Sequence, residues 1–202
     1  MSDSSDKSDL AVAAKAAFAY LEFLYCKGVT LIDCPIGILA GARIPLKIKS
    51  NVGCFLHVPA ADFSDGVKLT TWEDSTHVSH KWFIERVPGS IDRFFIRPVG
   101  NPKLALCVEG ETENGAQVTL KKLKVDKDEE ETDKIDLSAQ FYFLHAGENT
   151  WVIRFVHSES HLTVQEAKAD NGTPTIQWNA ADKENPSSEH DSMKWTFFSS
   201  PE

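Results

Sequence analysis

Trp151-Val152-Ile153-Arg154-Phe155, His161-Leu162-Thr163-Val164, Asn171-Gly172, Thr175-Ile176-Gln177-Trp178 and Lys194-Trp195-Thr196-Phe197 follow one another along the stretch that decides the fold. Its first run is a short apolar stretch broken only at Arg154, which reads as a strand. Asn171-Gly172 sits between two such runs, and both central residues of a tight hairpin turn need positive φ, which Asn and Gly supply at low cost. Trp151 to Phe197 therefore reads as four short strands.

Two earlier segments repeat the plan. The Leu-x-Val strand occurs as Leu56-His57-Val58, Leu106-Cys107-Val108 and Leu162-Thr163-Val164, copies 50 and 56 residues apart. Asp65-Gly66 and Asn114-Gly115 precede Asn171-Gly172 as turns. Lys81-Trp82-Phe83-Ile84 and Gln140-Phe141-Tyr142-Phe143 precede Lys194-Trp195-Thr196-Phe197 as closing strands, and the opening strands lie at Ile44 to Ile48, Phe94 to Arg97 and Trp151 to Phe155. A recurrence of this length means one supersecondary unit used several times around a shared core. Three units of four strands fit an all-β fold, the β-trefoil with a pseudo-three-fold repeat, whereas three blades are too few to close a propeller.

At 202 residues with 42% hydrophobic content, the chain is long enough to bury a sizeable core. The formal net charge of -9, with no Lys/Arg cluster, argues against nucleic acid or an anionic membrane as main partner. Cys26, Cys34, Cys54 and Cys107 lack the spacing of a zinc or redox site. Cys54 and Cys107 read as reduced core residues, and pairing of Cys26 with Cys34 stays open. No secretory signal or bilayer-spanning run is present, so a cytoplasmic protein without membrane insertion is expected.

Residues 1–8 read as a disordered N-terminus and 9–42 as a helix and connector. Leu10, Ala14, Phe18, Leu21 and Tyr25 form an apolar helical stripe that requires a cover. Packing on the β domain, self-association into a homodimer through Leu10–Tyr25 and, last, membrane insertion are the alternatives. The β-trefoil is expected over 43–198, in units of about 43–88, 89–147 and 148–198, with a tail at 199–202. Lys124 to Lys134 reads as an exposed charged loop without the glycine of a calcium-binding loop.

The three-fold plan resembles the ricin B-type β-trefoil lectins, in style the small fungal ones, over Arg43 to Phe198. That family carries an aspartate after the Leu of the early strand, an aromatic pocket floor and a closing Gln-x-Trp. Here His57, Cys107 and Thr163 stand at the aspartate position, and His80, Ala139 and Met193 replace the Gln. Trp82 and Trp195 keep the closing aromatic and read as core, with Phe141 in the second unit. Trp72 and Trp178 stand at the pocket-floor position, with Lys122 in the second unit. The resemblance implies a lectin that recognises a glycan or glycoprotein through one aromatic-floored pocket.

A pyranose offers an apolar C–H face and a rim of hydroxyls, so its site needs a flat aromatic surface with fixed donors and acceptors around it. Trp178 with Asn179, Asn185 and His161 supplies that set in the third unit, and Trp72 with Glu73 and Asp74 is a second candidate. No nucleophile elbow, zinc-protease motif, phosphate loop or metal-ligand cluster is present, so neither an enzyme nor a cofactor is expected. The rival reading is a β-trefoil protease inhibitor acting through one exposed loop, around Asp182 to Pro186 or Pro98 to Pro102.

Overall fold

The computed structural model describes residues 40–41, 43–108, 112–123, 136–147, 149–179 and 185–200. The expected helix at Leu10–Tyr25, its burial or self-association, the pairing of Cys26 with Cys34, and the Lys124–Lys134 run lie outside the described residues. Among the described residues there are twelve strands, four per unit. The first unit holds β1 (Leu46–Ser50), β2 (Phe55–His57), β3 (Thr70–Trp72) and β4 (Trp82–Arg86). The second holds β5 (Phe94–Pro98), β6 (Leu104–Cys107), β7 (Thr119–Lys122) and β8 (Phe141–His145). The third holds β9 (Trp151–Phe155), β10 (His161–Val164), β11 (Thr175–Trp178) and β12 (Lys194–Ser199).

The first and fourth strands of each unit close a six-stranded barrel. Within units, β1 pairs β4, β5 pairs β8 and β9 pairs β12; between units, β4 pairs β5, β8 pairs β9 and β12 pairs β1. Closure leaves the barrel with no free edge. The other strands form three hairpins, β2–β3, β6–β7 and β10–β11. Those hairpins meet about the pseudo-three-fold axis in a closed cycle: Leu69 N–H donates to Val118 O at 2.8 Å, Val118 N–H to Thr175 O at 2.9 Å, and Thr175 N–H to Leu69 O at 3.2 Å. A barrel with a hairpin triplet is the β-trefoil architecture.

Alternation along the barrel strands puts Leu46, Ile48, Trp82, Ile84, Phe155 and Trp195 in the core, all at most 1% exposed. Each such side chain contributes about 1.5–3 kcal/mol by leaving water. The closing tryptophans also tie each unit together. Trp82 Nε1–H donates to Leu56 O at 3.2 Å and Trp195 Nε1–H to Leu162 O at 2.9 Å, so each indole pins its own Leu-x-Val strand. Cys54 and Cys107 are buried thiols, and burial raises the Cys54 thiol above its ordinary pKa.

The hairpin turns lock neighbouring units. Gly66, Gly115 and Gly172 have φ of 82°, 89° and 84°, a region in which side-chain-bearing residues are strained. Their N–H groups donate to Leu120, Gln177 and Thr71 O, each at 2.8–2.9 Å. The preceding Asp65, Asn114 and Asn171 accept, through Oδ1, from the backbone N–H of Lys122, Asn179 and Glu73 at 2.7, 2.6 and 2.7 Å. Each turn thus fixes the strand end where the next unit presents its candidate ligand-binding residue.

Candidate functional site

The hairpin register decides which residues are equivalent. Leu56 stands opposite Thr71, Leu106 opposite Leu120, and Leu162 opposite Gln177. The next residue is Trp72, Lys121 and Trp178, and the turn caps on Glu73, Lys122 and Asn179 give the same alignment. Lys121, not Lys122, is therefore the second unit's counterpart of the two tryptophans. The offset arises because β7 runs one residue further than β3 or β11. Lys121 Nζ makes an ion pair with Asp136 Oδ2 at 2.9 Å in place of an aromatic floor.

Trp72, 38% exposed at the end of β3, lines a cleft of about 450 Å³ with His57, Glu73, Asp74, His77 and His80 among its walls. His57 lies beneath the indole, ring centroids 5.3 Å apart, and His80 lies 4.6 Å from His57. A 3₁₀ turn at Val78–His80 carries this wall, and its N-cap His77 accepts the Ser79 N–H on Nδ1 at 3.3 Å. The second and third units repeat the turn with Asp136 and His190 as caps over Ser138 and Ser192. Lys47 Nζ bonds the Asp74 carboxylate at the rim. Burial first, then His80 and His77, push His57 down to a pKa of about 4. Burial also lowers His80, opposed by Asp74 and the Glu73 carbonyl. The cleft thus offers an aromatic floor, neutral imidazoles and two carboxylates.

In the third unit Trp178 is 43% exposed at the end of β11. Asn179 is held on both sides: its N–H donates to Asn114 Oδ1, and its Oδ1 accepts from Ser160 Oγ at 2.9 Å. His161 stands opposite Trp178 in the strand register but is wholly buried, with Arg154 Nε at 3.3 Å and Glu189 Oε2 at 4.0 Å. It supports the strand from below and presents nothing at the surface. Asn185 precedes the turn at Pro186–Ser188, and its Oδ1 accepts from Ser187 Oγ. The structure therefore places Trp178 and Asn179 at one strand end, puts His161 beneath it, and gives Asn185 local contacts in its own turn. Residues 180–184 lie outside the described residues.

His57, His77 and His80 were missed as a group by sequence reasoning. Two signals pointed to them: His57 at the family's aspartate position, and the His77-Val78-Ser79-His80 spacing just before the closing strand. Pro98 to Pro102, one expected inhibitory loop, is anchored on Phe63, because Asn101 Nδ2 donates to Phe63 O at 3.2 Å and a Cβ at Gly100 would sit 2.3 Å from the Phe63 ring, while Gly100 and Pro102 stay exposed. Most of Asp182 to Pro186 is outside the described residues. Among the described residues no three His, Cys, Asp or Glu side chains are arranged to hold a metal ion, and no helix is long and apolar enough to cross a membrane.

No family model and no curated protein matches the chain. Solved structures do. The designed three-fold symmetric protein ThreeFoil is 20% identical, with TM-score 0.63, covering 76% of this chain and 97% of its own. An exo-β-1,3-galactanase from Clostridium thermocellum is 17% identical with TM-score 0.63, covering 77% of this chain, which spans 30% of that enzyme. A ricin B-like lectin of Macrolepiota procera, solved with lactose, is 13% identical with TM-score 0.57, covering 78% of this chain and 96% of its own. At these identities the likeness is one of fold: the chain is built as the three-fold β-trefoils are.

Proposed function

We propose that the chain is a carbohydrate-binding protein of lectin type, which holds a glycan against Trp72 in the first unit. Trp178 with Asn179 forms a second contact in the third. The observation that carries this reading is the exposed indole of Trp72 over a cleft walled by side chains that donate and accept hydrogen bonds. An indole face covers the C–H side of a pyranose, while Asp74, Glu73 and neutral imidazoles meet its hydroxyls. The sequence favours the third unit; the cleft at Trp72 and the burial of His161 support putting the first unit ahead of it. The lectin fold of the Macrolepiota procera protein supports the class of ligand and not its identity.

A cleft of this size that closes on one sugar ring binds it weakly, at about millimolar Kd or -4 kcal/mol. Two such contacts per chain raise avidity toward branched or clustered glycans without any new contact. A glycan array probed with the unmodified protein, Trp72→Ala and Trp178→Ala tests the proposal. Binding that Trp72→Ala removes and Trp178→Ala merely weakens is the expected result. Full binding by Trp72→Ala, or no glycan bound by the unmodified protein, contradicts it.

A further inference from the structure

Trp72, His57 and His80 form a stack of three rings in which two neighbours are ionisable. His57 is the middle ring, tilted 40° from Trp72 and 38° from His80. It is 9% exposed and His80 is 2% exposed. A proton on either ring is thus poorly hydrated, and protons on both place two cations in contact. His57 Nδ1 meets Thr70 Oγ1 at 3.4 Å and His80 Nδ1 meets Ser79 Oγ at 3.3 Å. The charged and titratable groups facing the stack are Lys47 from β1, Glu73 and Asp74 from the loop after β3, and His77 from the turn before β4. Asp74 is already bonded to Lys47, which limits it as a counter-ion for a second imidazolium. The equivalent positions hold Cys107 and Ala139 in the second unit and Thr163 and Met193 in the third. Two stacked imidazoles under the ligand floor belong to the first unit alone.

We propose that the Trp72 cleft is an acid-released binding site: neutral His57 and His80 hold the indole as a floor, and protons on the pair separate the rings, displace Trp72 and release the glycan. The release step rests on the glycan reading of the cleft, whereas the ring displacement does not. Inside the closed stack His57 takes a proton only near pH 4, well below the ordinary histidine value of about 6.5. An opened cleft rehydrates both rings and binds protons at that ordinary value. Acid therefore favours the open form as pH falls below about 6.5, and a ligand selective for the closed form is lost over the same range.

The test follows Trp72 fluorescence, taken as the difference between the unmodified protein and Trp72→Phe, without ligand, from about pH 7.5 down to about pH 4. A sigmoidal change completed before far-UV circular dichroism reports unfolding is expected, and it should vanish in the double variant His57→Gln/His80→Gln. A flat signal, one that coincides with unfolding, or one that persists in the double variant overturns the proposal. In parallel, retention on the best glycan of the array should fall by about tenfold or more over the same range. Retention that stays constant while Trp72 moves overturns the release step. Absence of any glycan binding at neutral pH sinks the lectin reading and the release with it, while the displacement of Trp72 is judged on its own signal.

Discussion

The first and third units share a backbone and an exposed indole, yet the two tryptophans rest on different beds. Beneath Trp72 lie two imidazoles; the same positions in the third unit hold Thr163 and Met193, both buried and without charge. Elsewhere the units coincide: Trp82 and Trp195 are both fully buried, and each donates to the Leu of its own Leu-x-Val strand. Packing demands hold the closing tryptophans alike, because barrel interiors are close-packed and a changed side chain leaves a void. The positions beneath the two exposed indoles are buried as well, yet they differ in chemistry between the units while the scaffold is the same.

The largest effects should fall where the units agree. Trp82→Ala and Trp195→Ala should each cost about 3–5 kcal/mol, read from urea unfolding midpoints. A variant of either that loses less than about 1 kcal/mol breaks the structural equivalence of the units. Next comes acid. His57 titrates near 4 while the cleft is closed, so from about pH 6.5 down to the pH at which the cleft opens the unfolded chain binds a proton that the closed form refuses. Stability therefore falls as pH drops through that window, by up to about 3 kcal/mol, and His57→Gln should flatten the dependence. Thr163→Val, the matching change in the third unit, should leave the slope untouched.

Smaller effects sharpen the contrast. Asn171→Ala removes the acceptor for the Glu73 N–H and should cost about 1 kcal/mol. It should also weaken glycan binding, because it loosens the strand end that bears Trp72. Asn114→Ala removes the equivalent cap from Asn179, at a similar cost, and should spare the first-unit cleft. Smallest of all, Trp72→Ala and Trp178→Ala should each change stability by less than about 1 kcal/mol, since both indoles are substantially exposed. A large loss from either would make that indole a packing residue.

The all-β plan was legible because strand pattern and turn chemistry are local. Gly66, Gly115 and Gly172 mark turns through their own φ preference, and Leu56, Leu106 and Leu162 mark the strands that the core requires. The cleft was only partly legible. Trp72 and Trp178 were visible as an aromatic repeat, but exposure depends on which side of a strand faces the core, and His161 shows the hazard. It reads as a rim residue beside Trp178, and the fold buries it with Arg154 and Glu189. The second unit's counterpart of the tryptophans reads as Lys122 and stands at Lys121, because strand length, unlike turn position, leaves little mark in sequence. The ring stack joins residues 57, 72 and 80 across two strands and a turn, and such a contact exists only once the hairpin register is set.

The central claim, that a glycan lies on Trp72, is tested most directly by the indole Nε1–H signals of the five tryptophans during titration with the strongest array ligand. Trp82 and Trp195, buried and hydrogen-bonded, serve as internal references. The account predicts that the Trp72 signal, assigned through Trp72→Phe, shifts first and furthest, that Trp178 follows at higher concentration, and that the references stay still. Saturation with Trp72 unmoved would contradict it.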